Sequence, residues 1–201
     1  MAKIITIVGK SASGKNHIYE ALLKKYPKLV PVVSHTTRPI RLGAGEVDGK
    51  DYFFINSKKF IEKIASGEMF EYREYDTAHG RWYYGTSLNQ IDIKSNNTYI
   101  AIVDLKGLKA YINQFGADNI VSYYITAKTG IRLFRMIKRE SGIDESQKNE
   151  IIRRYFADEE AFKDVEKWTN CTISNNTEDD LNTAMDIIGL AIEKSGDVNG
   201  I

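Results

Sequence analysis

Residues Gly9-Lys10-Ser11-Ala12-Ser13-Gly14-Lys15-Asn16 hold the most specific chemistry in the chain. In the pattern G-x-x-x-x-G-K, the glycines permit a tight turn, so that several backbone N–H groups converge on phosphate oxygens. Lys15 adds a point charge suited to β- and γ-phosphates. The residue after this lysine is ordinarily Ser or Thr, whose hydroxyl binds Mg2+; here it is Asn16. An amide oxygen is still a competent hard ligand, directly or through water. The loop therefore implies binding of a nucleoside triphosphate, with Gly9, Ser11, Ala12, Ser13, Gly14, Lys15 and Asn16 around its phosphates.

A second group follows at Ser34-His35-Thr36-Thr37-Arg38-Pro39-Ile40-Arg41. Two guanidinium forks separated by a stiffening proline can grip a second phosphate bidentately. Beyond lie Gly45-Glu46-Val47-Asp48-Gly49-Lys50-Asp51-Tyr52-Phe53-Phe54, then Gly67-Glu68-Met69-Phe70-Glu71, then Tyr83-Tyr84-Gly85-Thr86. Tyrosine hydroxyls can donate to phosphate while their rings exclude water. Arg132, Arg135 and Arg139, spaced by three and four, can share one helix face. Arg153-Arg154 come after a polar stretch.

These groups need a scaffold. Apolar runs at 4–8, 29–33, 98–104, 120–125 and 171–174 predict about five strands covered on both faces. Helical patterns fall between most of them, at 17–26, 105–115, 131–140, 149–168 and 178–192. That alternation predicts a parallel α/β sheet with its ligands at the carboxyl ends of the strands. Residues 35–90 and 129–150 interrupt it. Both are too long for plain connections, which predicts functional excursions. Within the first, 51–55 and 71–75 are candidate strands, and 76–81 reads as an exposed loop insertion.

The set P-loop, S-x-T-T-R-x-x-R, G-E-x-D-G-x-D-Y-x-F, G-x-x-x-E and Y-Y-G-T resembles guanylate kinase, in order and spacing, across residues 4–175. The resemblance implies a P-loop-type parallel sheet with helices on both faces, a small mixed β subdomain for the nucleoside monophosphate, and a helical lid. It divides one domain into a core of 1–34, 91–128 and 151–194, a GMP subdomain of 35–90 and a lid of 129–150, with 195–201 as a frayed tail. It implies Mg2+-assisted phosphoryl transfer from ATP to GMP and dGMP. Arg38, Arg41, Tyr52 and Tyr84 would hold the GMP phosphate; Ser34, Glu71 and Thr86 would face guanine. Lys15, Arg38, Arg135, Arg139 and Arg154 would bring positive charge to the transferring group.

Two departures stand out beside Asn16. The family's D-x-D-x-Q-G reads here as Ile102-Val103-Asp104-Leu105-Lys106-Gly107, so Asp104 matches the second aspartate. Asp104 is a candidate for guanine or for the Mg2+ shell. Residues 76–81 lengthen the link between Glu71 and Tyr84. A kinase acting on another phosphorylated acceptor, or a non-catalytic binding module, is the competing reading.

The 201 residues carry a formal charge of +1. That balance offers no argument for nucleic acid or a membrane surface as partner. The single cysteine, Cys171, reads as a core residue and suits a cytoplasmic protein. No zinc-type His/Cys spacing is present.

Overall fold

The computed structural model describes residues 3–41, 45–77, 80–139 and 145–195. Two sheets organise it. The larger has five parallel strands in the order β2 (Val30–Pro31), β7 (Tyr99–Val103), β1 (Ile4–Val8), β8 (Ile120–Thr126), β9 (Cys171–Ser174). All five β1 residues are buried, as a central strand with both faces covered requires. Ile5 and Ile7 point to one face, where they meet Ile18 and Leu22 of α1 (Lys15–Lys25) and Ala184, Ile188 and Ile192 of α6 (Glu178–Ser195). Ile4 and Val8 point to the other, against Leu108, Tyr111 and Phe115 of α3 (Leu105–Phe115).

The smaller sheet is mixed, with four strands in the order β4 (Phe53–Phe54), β3 (His35–Thr36), β6 (Gly80–Ser87), β5 (Met69–Thr77). β3 runs parallel to β4 and antiparallel to β6, and β6 is antiparallel to β5. The helix α2 (Ser57–Ala65) packs Phe60 beneath it, 5.4 Å from the Tyr83 ring. Phe70 anchors the sheet to the core through edge contacts with Tyr111 and Phe115 at 4.9 and 5.2 Å. A register shift between Met69 and Glu71 accompanies that anchor. A bulge of this kind re-aims the side chains that follow it.

Several expectations need correction. The loop insertion expected at 76–81 is not seen at its described residues: Asp76 pairs with Arg81 and Thr77 with Gly80, so these four extend strands β5 and β6. His79 lies outside the described residues. Cys171 is half-buried at the margin of the core. The predicted strand at 29–33 shrinks to Val30–Pro31 on the edge of the sheet, where Val30 and Val32 donate to the Thr98 and Ile100 carbonyls and the proline, which has no N–H, falls between them. The predicted helix at 149–168 begins at Glu145 and ends at Ala161, as α5 (Glu145–Ala161), with a separate 3-10 turn at Val165–Lys167. The helix α4 (Thr129–Arg139) precedes it. The end of the predicted tail falls outside the described residues. Among them, no helix is long and apolar enough to cross a membrane.

Candidate functional site

The P-loop leaves the carboxyl end of β1 and enters α1. Gly14 caps the helix at φ 90°, and a Cβ there would stand 2.0 Å from Asn175 Nδ2. A Cβ on Gly9 would stand 2.6 Å from Ser13 Oγ and 2.7 Å from the Ile125 carbonyl. Neither position has room for a side chain. Ala12 also adopts a left-handed φ of 60°, a conformation non-glycine residues adopt at a cost. The turn is thus held in place by its surroundings. Ser13 Oγ is buried with no hydrogen-bond partner, and Lys15 Nζ bends back to 3.4 Å from the Lys10 carbonyl. An orphaned hydroxyl, a lysine and a helix N-terminus converge here, as a polyphosphate requires.

α4 and α5 dock on this loop through charge. Arg132, 2% exposed, donates from Nε to the Ser11 carbonyl at 3.1 Å and from its Nη atoms to Glu159 and Asp158 at 2.7 and 3.2 Å. Asp158 accepts from Ser11 N–H at 2.6 Å, and Glu159 from Lys10 Nζ at 2.6 Å. Arg135 Nη1 donates to the Asn175 carbonyl at 3.0 Å and reaches the Ala12 and Ser13 carbonyls at 3.4 Å. Of the three arginines expected from the lid, Arg135 is therefore at the loop. Arg154 is half-buried on α5, one turn before Asp158. The Arg139 side chain lies outside the described residues. Sequence reasoning placed Arg132 on the right face but could not tell that it points inward. It missed Asp158, Glu159 and Asn175 altogether, because their partners on the P-loop lie more than a hundred residues away.

The second sheet brings the remaining predicted residues together in two clusters. In the first, Arg38 is 4% exposed and forms a bidentate pair with Glu46, at 2.9 and 2.7 Å. Its guanidinium lies 5.5 Å from the Tyr52 ring. The Tyr52 and Tyr84 rings meet edge-on at 5.8 Å. Arg41 is exposed beside them, its backbone N–H donating to Glu46. Burial raises the Glu46 carboxyl, but hydrogen bonds from Arg38 and the Arg41 N–H, together with both arginine charges, outweigh it and hold it below the usual range.

In the second cluster, Thr86 lies opposite Glu71 in the ladder and donates to Glu71 Oε1 at 2.6 Å. Ser34 Oγ is 3.2 Å from the Thr86 hydroxyl. Glu71 Oε2 is buried with no hydrogen-bond partner. Burial pushes the Glu71 carboxyl up; Thr86 and Arg73 pull it back and Asp104 adds to the rise. Asp104 caps α3 by accepting from Gly107 N–H at 2.7 Å, and the same oxygen takes Arg73 Nη2 at 2.8 Å. Glu71 and Arg73 face Thr86 and Tyr84 across the hairpin. The two clusters thus sit two residues apart on one ribbon, roughly 7 Å along it.

His35 is buried against Phe53 and has no part in either cluster; burial lowers it to about 4, so the ring stays neutral at neutral pH. Among the described residues, no group of three or more His, Cys, Asp or Glu could hold a metal ion. Asn16, the second residue of α1, is exposed. Its amide fits an ion carried mainly by phosphate oxygens and water, the usual situation of Mg2+ at a nucleotide.

A family model described as guanylate kinase matches residues 1–195. A guanylate kinase of Nostoc is 37% identical over 117 residues, 56% of this chain and 55% of that protein. One of Clostridium perfringens is 29% identical over 178 residues, 88% of this chain and 77% of that protein. The chain thus aligns with about half the length of the first and about three quarters of the second. A solved structure of guanylate kinase from Anaplasma phagocytophilum superposes with a TM-score of 0.66 at 22% identity, covering 96% of this chain and 86% of that one. That likeness establishes the shared fold.

Proposed function

Because the chain belongs to the guanylate kinase family, we propose that it transfers the γ-phosphoryl group of ATP to GMP and dGMP. One observation supports the choice of acceptor above others. A buried carboxylate with an open oxygen, Glu71, stands on the same ribbon face as a cluster built from Arg38, Tyr52 and Tyr84. The first offers two acceptors to the N1–H and N2–H of guanine, with Thr86 and Ser34 beside it. The second offers donors to a 5′-phosphate, with Arg41 at its rim. A base lacking N1–H would leave Glu71 buried and unpaired, which is how such a site rejects adenine. Asp104, tied to Arg73 and to the α3 cap, belongs with this base site.

The P-loop amides, Lys15 and the N-terminus of α1 would hold the polyphosphate. An oxygen of the GMP phosphate attacks the γ-phosphorus in line, the bond to the β-bridging oxygen breaks, and ADP leaves. Positioning and charge neutralisation supply most of the catalysis in such a transfer. Lys15 and Arg135 act on the developing charge at the loop, joined by Arg139 from the lid at 129–150 and by Arg154 from α5. Arg38 steadies the attacking phosphate. Mg2+ bound with ATP would supply charge neutralisation at the phosphates, and Asn16 would contact it or its water shell. Residues 35–90 and the lid form the two bodies that enclose the substrates; the remainder is core. The protein works in the cytoplasm on small nucleotides, without nucleic acid or membrane as partner.

Asn16→Ser tests the metal reading. The serine variant should reach half-maximal rate at equal or lower Mg2+ than the wild type; a substantially higher requirement would contradict it. Glu71→Gln tests the base reading. The amide keeps the shape but replaces a charged acceptor with a group that also presents donors. We expect a loss of roughly 1–3 kcal/mol in transition-state stabilisation for GMP, read from kcat/KM. An unchanged kcat/KM would remove Glu71 from the base site.

A further inference from the structure

Arg73 belongs to none of the motifs, yet it lies at the centre of the base site. It stands two residues from Glu71 on β5, opposite Tyr84 in the ladder. Its Nη2 donates to Asp104 Oδ1 at 2.8 Å, and its Nη1 lies 3.4 Å from Glu71 Oε2. The side chain is 19% exposed, that of Glu71 9%. Gly107 leaves just enough space behind it: a Cβ there would sit 3.2 Å from Arg73 Nη2. Arg73 Nε and Glu71 Oε2 are both buried without a hydrogen-bond partner. A donor and an acceptor thus remain open side by side. Both residues line a cavity of about 400 Å³, with Lys106 on its α3 side.

We propose that Arg73 is a positioning and specificity-setting residue for the purine base, bridging Glu71 to Asp104 so that the Glu71 carboxylate presents both oxygens in one fixed plane. The proposal rests on the reading of GMP as acceptor and adds a residue to that site. Thr86 fixes one carboxylate oxygen. One contact leaves the group free to turn about its terminal torsion, which is soft for a glutamate. Arg73 fixes the second side, and its anchor is rigid because Asp104 is itself locked as the cap of α3. Its charge also offsets the repulsion between two carboxylates brought into one partly desolvated pocket.

The consequence is selective. Guanine presents two donors, N1–H and the 2-amino group, and needs both oxygens aligned. Hypoxanthine presents N1–H alone, and a turning carboxylate can still meet one donor. Loss of Arg73 therefore harms GMP more than IMP.

The experiment is steady-state kinetics of wild type, Arg73→Gln and Arg73→Lys with GMP and with IMP at saturating ATP. The Gln variant should raise KM for GMP about tenfold or more, the size of one lost charge-assisted contact. Its kcat should change far less. The ratio of kcat/KM for GMP over IMP should narrow, and Lys, which keeps the charge, should recover part of the loss. An unchanged KM for GMP would overturn the proposal. So would equal losses for GMP and IMP without rescue by Lys, since a merely structural residue behaves that way. If circular dichroism shows Arg73→Gln unfolded, the same comparison is read from Arg73→Lys, whose point charge cannot reproduce the two-armed bridge. A wild type that turns over neither nucleotide would overturn the acceptor reading itself, and this proposal with it.

Discussion

Lys15→Met is expected to lower kcat by about a hundredfold to a thousandfold, the usual effect of removing one charge aimed at a developing oxyanion. Lys15 begins α1, and its Nζ folds back over the loop to the Lys10 carbonyl. In that position it lies over the cradle the loop amides form, where β and γ oxygens would lie. Negative charge on those oxygens redistributes as the phosphoryl group moves, so the lysine acts more on the transition state than on bound ATP. The loss should fall mainly on kcat, with a smaller rise in KM for ATP. Lys15 contributes nothing to either hydrophobic cluster, so the melting temperature should hold. Measured rates within tenfold of the wild type would contradict the assignment.

Arg38→Ala should abolish most GMP turnover and also destabilise the protein. The pair with Glu46 is nearly closed to solvent, the side chains being 3% and 14% exposed. Removing the guanidinium leaves the Glu46 carboxylate without its partner, and breaking a buried pair in this way costs about 3 kcal/mol or more. For a chain of this size that is a fall of roughly 6–12 °C in melting temperature. The pair also makes stability depend on pH. Glu46 is held below the usual carboxylate range when folded. Its contribution is therefore present at neutral pH and fades as acid protonates it. Adding Glu46→Gln to Arg38→Met should restore much of the melting temperature without restoring turnover. That contrast separates the structural role of Arg38 from its role at the phosphate. A melting temperature unchanged in Arg38→Ala would show that the pair carries no stability.

What could be read from the sequence was local. β1, α3 and β9 were predicted to the residue, because each is a short periodic segment with a clear end. Asp104 followed by Gly107 is such an end, and the aspartate caps the helix. The helix at Ser57–Ala65 carried a comparable signal that went unused: Asn56 accepts from Lys59 N–H as its cap, and Phe60, Ile61 and Ile64 follow at helical spacing. The pairing of Asp76 with Arg81 and of Thr77 with Gly80 was not legible, since these residues are polar or small and their register is fixed by pairing rather than by alternation. The site divides the same way. The P-loop and the arginine and tyrosine motifs could be read because each is contiguous. The partners Glu46, Arg73, Asp158 and Glu159 form pairs that only the fold brings together. Two of them alter the meaning of motif residues: Arg38 is already charge-balanced, and Glu71 already has an arginine at its side.

The most direct test of the account is kcat/KM for GMP against AMP in the wild-type protein, followed as ADP release. The site offers Glu71 to an N1–H that guanine brings and adenine lacks, which predicts GMP turnover favoured over AMP by at least about a thousandfold. Comparable rates for the two, or turnover of neither, would contradict it.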